Sequence, residues 1–140
     1  MRIRLRSIAL IADRRGAAVL EFAIVAPALF ALVLGAVDVG RMFYVRQGLE
    51  YATEQAAHYY VLNPNSASSA VTTYLRTQMA GGMGSSILAP TYDDTTPCNG
   101  QANVTCTMIT ATYSFSFIAG YLGLGTITLK AKAQAVRVTS

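Results

Sequence analysis

The polarity pattern of the chain changes character twice. From Ala17 to Val37 the residues are almost all apolar, Glu21 being the one exception that carries a charge. As a helix this run is roughly 32 Å long at about 1.5 Å per residue, which matches the ~30 Å hydrocarbon core of a bilayer. It also exceeds the short apolar region of a removable secretory signal. Beyond Val37 the pattern becomes amphipathic without a break. Met42, Val45, Leu49, Ala52, Ala56 and Tyr59 recur at alternating spacings of three and four, one stripe on a helix, while Arg41, Arg46, Glu50 and Glu54 fall off it. Pro64 disfavours helical geometry at Asn63, so the helix should end near Leu62. A continuous helix from Ala17 to Leu62 would be about 69 Å long.

The third regime is mixed. Asn65 or Ser66 can cap a second helix, whose apolar face is Val71, Tyr74, Leu75 and Met79, and AGGMGSS ends it. Pro90 to Asn103 reads as turn-rich. Strict alternation then sets Ile109, Ala111, Tyr113, Phe115 and Phe117 on one face of a strand, with threonines and serines on the other. After the Gly-rich AGYLGLG, a second alternating run places Ile127, Leu129, Ala131, Ala133 and Ala135 on one face. The two runs should pair as an antiparallel hairpin, with a bulge or the strand end at the phase slip of Ala135–Val136. The expected fold class is α+β: a long N-terminal transmembrane and amphipathic helix, then a short helix and a small antiparallel sheet with a C-terminal hairpin. No internal repeat is present.

Charge sharpens this organisation. The formal net charge of +4 lies entirely in the leader, where Arg2, Arg4, Arg6, Arg14 and Arg15 face only Asp13; from Ala17 onward acids and bases balance. The basicity is a targeting feature, and nucleic acid is not an expected partner. A basic leader before an apolar run stays cytoplasmic while the run inserts, so the remainder is delivered outward. The hydrophobic fraction of 53% against 13% charged residues also suits a chain with a lipid-embedded part. The expected organisation is a leader at 1–16, a transmembrane helix at 17–37, an amphipathic continuation at 38–63 and a small extracytoplasmic head at 64–140. Cys98 and Cys106 flank a polar stretch. In an oxidising compartment a disulfide between them is expected, contributing about 2–3 kcal/mol, with two free thiols as the alternative.

Glu21 is costly in a lipid-facing run, and an ionisable residue there points to function. Gly16 followed by AAVLEF has the form G-x-x-x-x-E-F between a basic leader and a spanning helix. In this the sequence resembles bacterial type IV prepilins, and more closely the TadE-like minor pilins, or pseudopilins, of the tight-adherence system. The resemblance is strong from Arg14 to about Tyr44, and the head is compatible with it. It implies that a membrane prepilin peptidase cuts between Gly16 and Ala17, and that Glu21, at the fifth mature position, is needed for assembly; Phe22 fits the same pattern. It implies as partners other pilin subunits, the inner-membrane assembly platform and the lipid bilayer. The setting would be the inner membrane, with the head in the periplasm and the subunit incorporated into a pilus used in adhesion and biofilm formation.

Physical reasoning runs alongside. Glycine before the cut lets the backbone enter a cleft in extended form. Cleavage would create a positive α-amino group at Ala17, one helical turn from Glu21, so the carboxylate could neutralise its own terminus or a neighbour's. Pro27 should kink or loosen the helix within the membrane run. The alternatives are an uncleaved single-span anchor that binds a periplasmic partner without polymerising, a secreted protein cut near Ala26–Ala28 or Leu34–Ala36, and a type II secretion pseudopilin. Phe22 and the Ala-rich start favour tight adherence over the last.

Other constellations are weak. His58 has no Cys or paired acid to help it and reads as a helix-surface residue. Tyr44, Tyr51, Tyr59 and Tyr60 read as packing residues for the head or a neighbouring subunit. Asp93–Asp94 reads as a solvated turn, and GGMG and GYLGLG lack the Lys-Ser or Lys-Thr of a phosphate loop. Asn103-Val104-Thr105 matches a glycosylation sequon. No enzyme activity, metal or cofactor is expected.

Overall fold

The computed structural model describes residues 14–98, 103–118, 120 and 125–138. Its elements are a helix α1 (Arg14–Leu62), a helix α2 (Ser68–Gln78), a 3-10 segment (Ala80–Ser86) and three strands, β1 (Ile87–Pro97), β2 (Val104–Ser116) and β3 (Thr126–Val138). The chain divides into two compact units, Met1–Val37 and Asp38–Ser140. The α+β class is the one expected. The leader arginines Arg2, Arg4 and Arg6 lie outside the described residues.

In the first unit the structure describes helix alone. Its large apolar side chains, among them Val19, Leu20, Phe22, Ile24 and Phe30, are exposed, Phe22 at 68%. The helix runs unbroken through Pro27. Proline removes one backbone donor, but unwinding an apolar helix would expose several more polar groups.

In the second unit α1 buries the expected stripe. Val45, Leu49, Ala52 and Ala56 are buried, and Met42 and Tyr59 pack against them. Arg46, Glu50 and Glu54 stay exposed. Thr53 is fully buried on the same side, and its hydroxyl is satisfied by donating to the Leu49 carbonyl at 2.6 Å. From α2, Val71 and Leu75 enter the core together with Met79, while Tyr74 stacks on Tyr59 with ring centroids 4.5 Å apart.

The capping expectation for α2 is corrected. The residue before the helix is Ala67, with no side-chain capping bond. Ser66 instead donates its hydroxyl to the Asn63 carbonyl at 2.7 Å, closing the turn around Pro64. That local bond competes with capping and wins because the chain must reverse between α1 and α2.

The sheet is three-stranded and antiparallel in the order β1-β2-β3. Its inner face supplies Ile109, Ala111, Tyr113 and Phe115 from β2, with Ala131 and Ala135 from β3. Two expectations fail here. Residues 90–97, read as turn, form most of β1. Pro90 lies in the register shift between Leu88 and Thr91, and Pro97 ends the strand. On an edge strand, at a bulge or an end, a missing N–H breaks no ladder bond. Nor is there a bulge or strand end at Ala135–Val136: pairing runs without interruption from Val104↔Val138 to Ser116↔Thr126. Side chains alternate faces, so the apparent slip is Arg137 taking an inner-face position. Its guanidinium lies 4.6 Å from the Tyr60 ring centroid and donates to the Pro64 carbonyl at 2.6 Å.

Candidate processing and assembly segment

Arg14 and Arg15 open α1, and Gly16–Ala17 follows within its first turn. The bond expected to be cut is therefore helical in the described part of the chain. A Cβ built on Gly16 meets nothing within 4 Å, and its φ is not positive. Neither packing nor backbone geometry requires glycine at this position.

One turn further, Glu21 is exposed between exposed Leu20 and Phe22. Its place at i+4 from Ala17 puts the two residues on one helix face. Ion pairs among the described residues include Arg41–Asp38 and Arg46–Glu50, both within the second unit. Gly16, Ala17, Glu21, Phe22 and Pro27 thus share one helical segment with exposed large apolar side chains, which has the chemistry of a surface for lipid or for other helices. Over the described residues one helix is long and apolar enough to cross a membrane.

The cysteines belong to the second unit. Cys98 and Cys106 are disulfide-bonded, with Cα atoms 5.4 Å apart, as expected. Beside them Asp94 accepts a hydrogen bond from the buried Thr107 hydroxyl, so that acid has a structural task. His58 is exposed on α1. Of the four tyrosines on α1, Tyr59 and Tyr60 are half-buried and pack against Tyr74 and Tyr92; Tyr44 and Tyr51 are exposed.

The residue that sequence reasoning counted only as a charge is Asp38. It is 2% exposed. Its Oδ1 accepts from Arg41 at 3.1 Å and from the Ile118 backbone N–H at 3.0 Å. The Arg41 guanidinium in turn lies 5.4 Å from the centroid of Phe115. One acid thereby ties α1 to the end of β2. The available signal was an acid closing an apolar run with an arginine three residues later, a helical i, i+3 pair.

An exposed apolar helix with an ionisable residue near its start, continuing into an α+β core, is consistent with a protein anchored by that helix and carrying a small folded domain. Residues 16–58, under a third of the chain, match the family model described as TadE-like protein. The chain thus carries a TadE-like segment, consistent with a TadE-like protein of the tight-adherence pilus system. The match begins at Gly16 and includes both the apolar run and most of the buried stripe. Comparison with curated proteins and with solved structures gives no match.

Proposed function

We propose that the chain is a minor pilin precursor of a tight-adherence pilus. In this reading a prepilin peptidase cuts after Gly16 and the mature helix beginning at Ala17 is held in the inner membrane. Assembly with other pilin subunits on the inner-membrane platform follows, with the Asp38–Ser140 unit outside. The filament serves surface adhesion and biofilm formation.

The observation that carries the reading is the TadE-like match starting at Gly16, with Glu21 exposed five residues on in an unpacked apolar helix. A glycine that the described residues do not require, and a carboxylate that cleavage would furnish with a cation one helical turn away, both make sense if processing and helix packing are the purpose. A charge contact desolvated between helices also gives register, because removing one partner leaves the other buried and unpaired.

Glu21→Ala tests it. The variant should remain in the membrane fraction and be processed, while the subunit recovered in sheared filaments falls by about tenfold or more, the consequence of roughly 1.4 kcal/mol lost per contact. Unchanged filament incorporation would contradict the reading and favour a simple anchor.

A further inference from the structure

We infer that the outer edge of β3 takes an extended segment of another polypeptide as a fourth strand, and that this segment carries carboxylates at alternate positions. The inference rests on the second unit alone and is independent of cleavage after Gly16 and of the bilayer. The sheet order β1-β2-β3 leaves two edges, and they differ. β1 carries Pro90 and Pro97 and shifts register twice against β2, between Leu88 and Thr91 and between Asp93 and Thr96. Prolines and bulges of this kind close an edge to further pairing. β3 pairs with β2 from Thr126 to Val138 without a shift, and it holds no proline or glycine. Among the described residues no strand pairs with its other side. A regular strand with one side unpaired presents a row of backbone donors and acceptors, the template for strand addition.

Charge names the occupant. β3 carries Lys130, Lys132 and Arg137 and no acid, and the neighbouring β2 carries no charged residue. Lys130 and Lys132 are exposed on the outer face of the sheet. Two residues apart on a strand, they are roughly 6–7 Å from one another, which is also the spacing of alternate residues on an added strand. Carboxylates at i and i+2 of that strand would each stand opposite an ammonium group. On the α1 side, Arg46, Thr128, Leu129 and Lys130 line a groove. Arg46 holds Glu50 at 3.0 Å, but both side chains are largely exposed, and so weak a pair leaves the guanidinium able to take a second carboxylate. The lysines also weigh against a second copy. Two β3 strands joined antiparallel about Ala131 would set Lys130 of each against Lys132 of the other, and like charges directly opposite are destabilising. The same two ammonium groups that discourage self-pairing attract an acidic strand.

The test measures fluorescence anisotropy of labelled peptides with the full chain in neutral detergent, its disulfide intact. The probe is a peptide of about eight residues in which glutamate alternates with valine, spanning about 26 Å when extended. A lysine–valine peptide of the same length is its counterpart. The glutamate peptide should bind saturably, and the lysine peptide about tenfold or more weaker. Lys130→Glu combined with Lys132→Glu should reverse that preference; both positions are exposed, and an unchanged thermal melt shows that the variant is folded. A glutamate peptide N-methylated at every residue keeps its charge and loses its backbone donors, and should not bind. Equal binding of the N-methylated peptide would overturn strand addition. Equal binding of the glutamate and lysine peptides, or no saturable binding by about 1 mM, would overturn the acidic partner. A full chain that dimerises in the detergent and releases the peptide as it does so would show the edge filled by a second copy, which overturns the inference as well.

Discussion

Single glycines in this chain have opposite structural meanings that composition does not reveal. A Cβ on Gly84 would lie 2.1 Å from the Arg76 carbonyl oxygen, a backbone atom. Gly84→Ala must therefore push the 3-10 segment off α2, and should destabilise the protein by about 1–3 kcal/mol. Gly48 lies inside α1, and a Cβ there meets only Met79 Sδ at an ordinary 3.6 Å. Gly48→Ala should stabilise by about 0.5–1 kcal/mol through the entropy of the unfolded chain. Thermal melts of the two variants in detergent should move in opposite directions; equal shifts would contradict the packing described. From the sequence AGGMGSS could be read as a helix stop. Which glycines were obligatory depended on how closely α2 returns to that segment, a long-range fact.

Tyr92 gives the residue scale a pH dependence. Its hydroxyl lies 3.1 Å from the Ser68 carbonyl and from the Thr72 hydroxyl. Burial pushes its pKa above the ordinary 10.0; the hydrogen bond to Thr72 opposes this, and neighbouring Tyr60 adds to the rise. A phenol whose folded pKa is raised binds its proton more tightly when folded. Its contribution is full below about pH 10 and is lost as pH rises through the folded value. Tyr92→Phe should flatten that part of the alkaline stability profile, measured by urea unfolding in detergent between pH 9 and 11. An unchanged slope would contradict the assignment.

Among the elements, α1 was the most legible because its stripe is long and regular: the residues from Met42 to Tyr59 that the spacing selected pack, with Thr53 and Ala57 buried beside them. The strands β2 and β3 were legible for the same reason at period two. β1 was not, because Pro90, Pro97 and the Asp93–Asp94 pair mask its extended backbone with turn-forming residues. It is a strand because β2 offers it a pairing edge, and its irregular register absorbs the prolines. Arg137 hid the end of β3 likewise, by taking a core-side position that Tyr60 and the Pro64 carbonyl make favourable. The disulfide joins the Cys98 end of β1's exit to Cys106 on β2 across a sequence separation of 8. Loop closure of that size is worth about 2–3 kcal/mol. Replacing both cysteines by serine should lower the unfolding midpoint accordingly, with α1 helicity by circular dichroism retained. No change in the midpoint would mean that the sheet edge holds without the bridge.

For the whole molecule, function is written in a local stretch of sequence more than in the fold. Gly16, Glu21 and Phe22 are a local motif in a basic-then-apolar context, and the TadE-like match rests on the same stretch. The structure adds that the large apolar side chains of this stretch are exposed and that, among the described residues, a Cβ on Gly16 meets nothing within 4 Å. It also supplies Asp38, whose pairing with Arg41 a local pattern could suggest but whose bond from the Ile118 N–H, eighty positions away, it could not. The central claim is that the segment is built to be cut and then to pack. Its most direct test is the intact mass and N-terminal sequence of the protein purified from membranes of cells with an active prepilin peptidase. The account predicts a chain beginning at Ala17; a chain that still begins at Met1 under those conditions would contradict it.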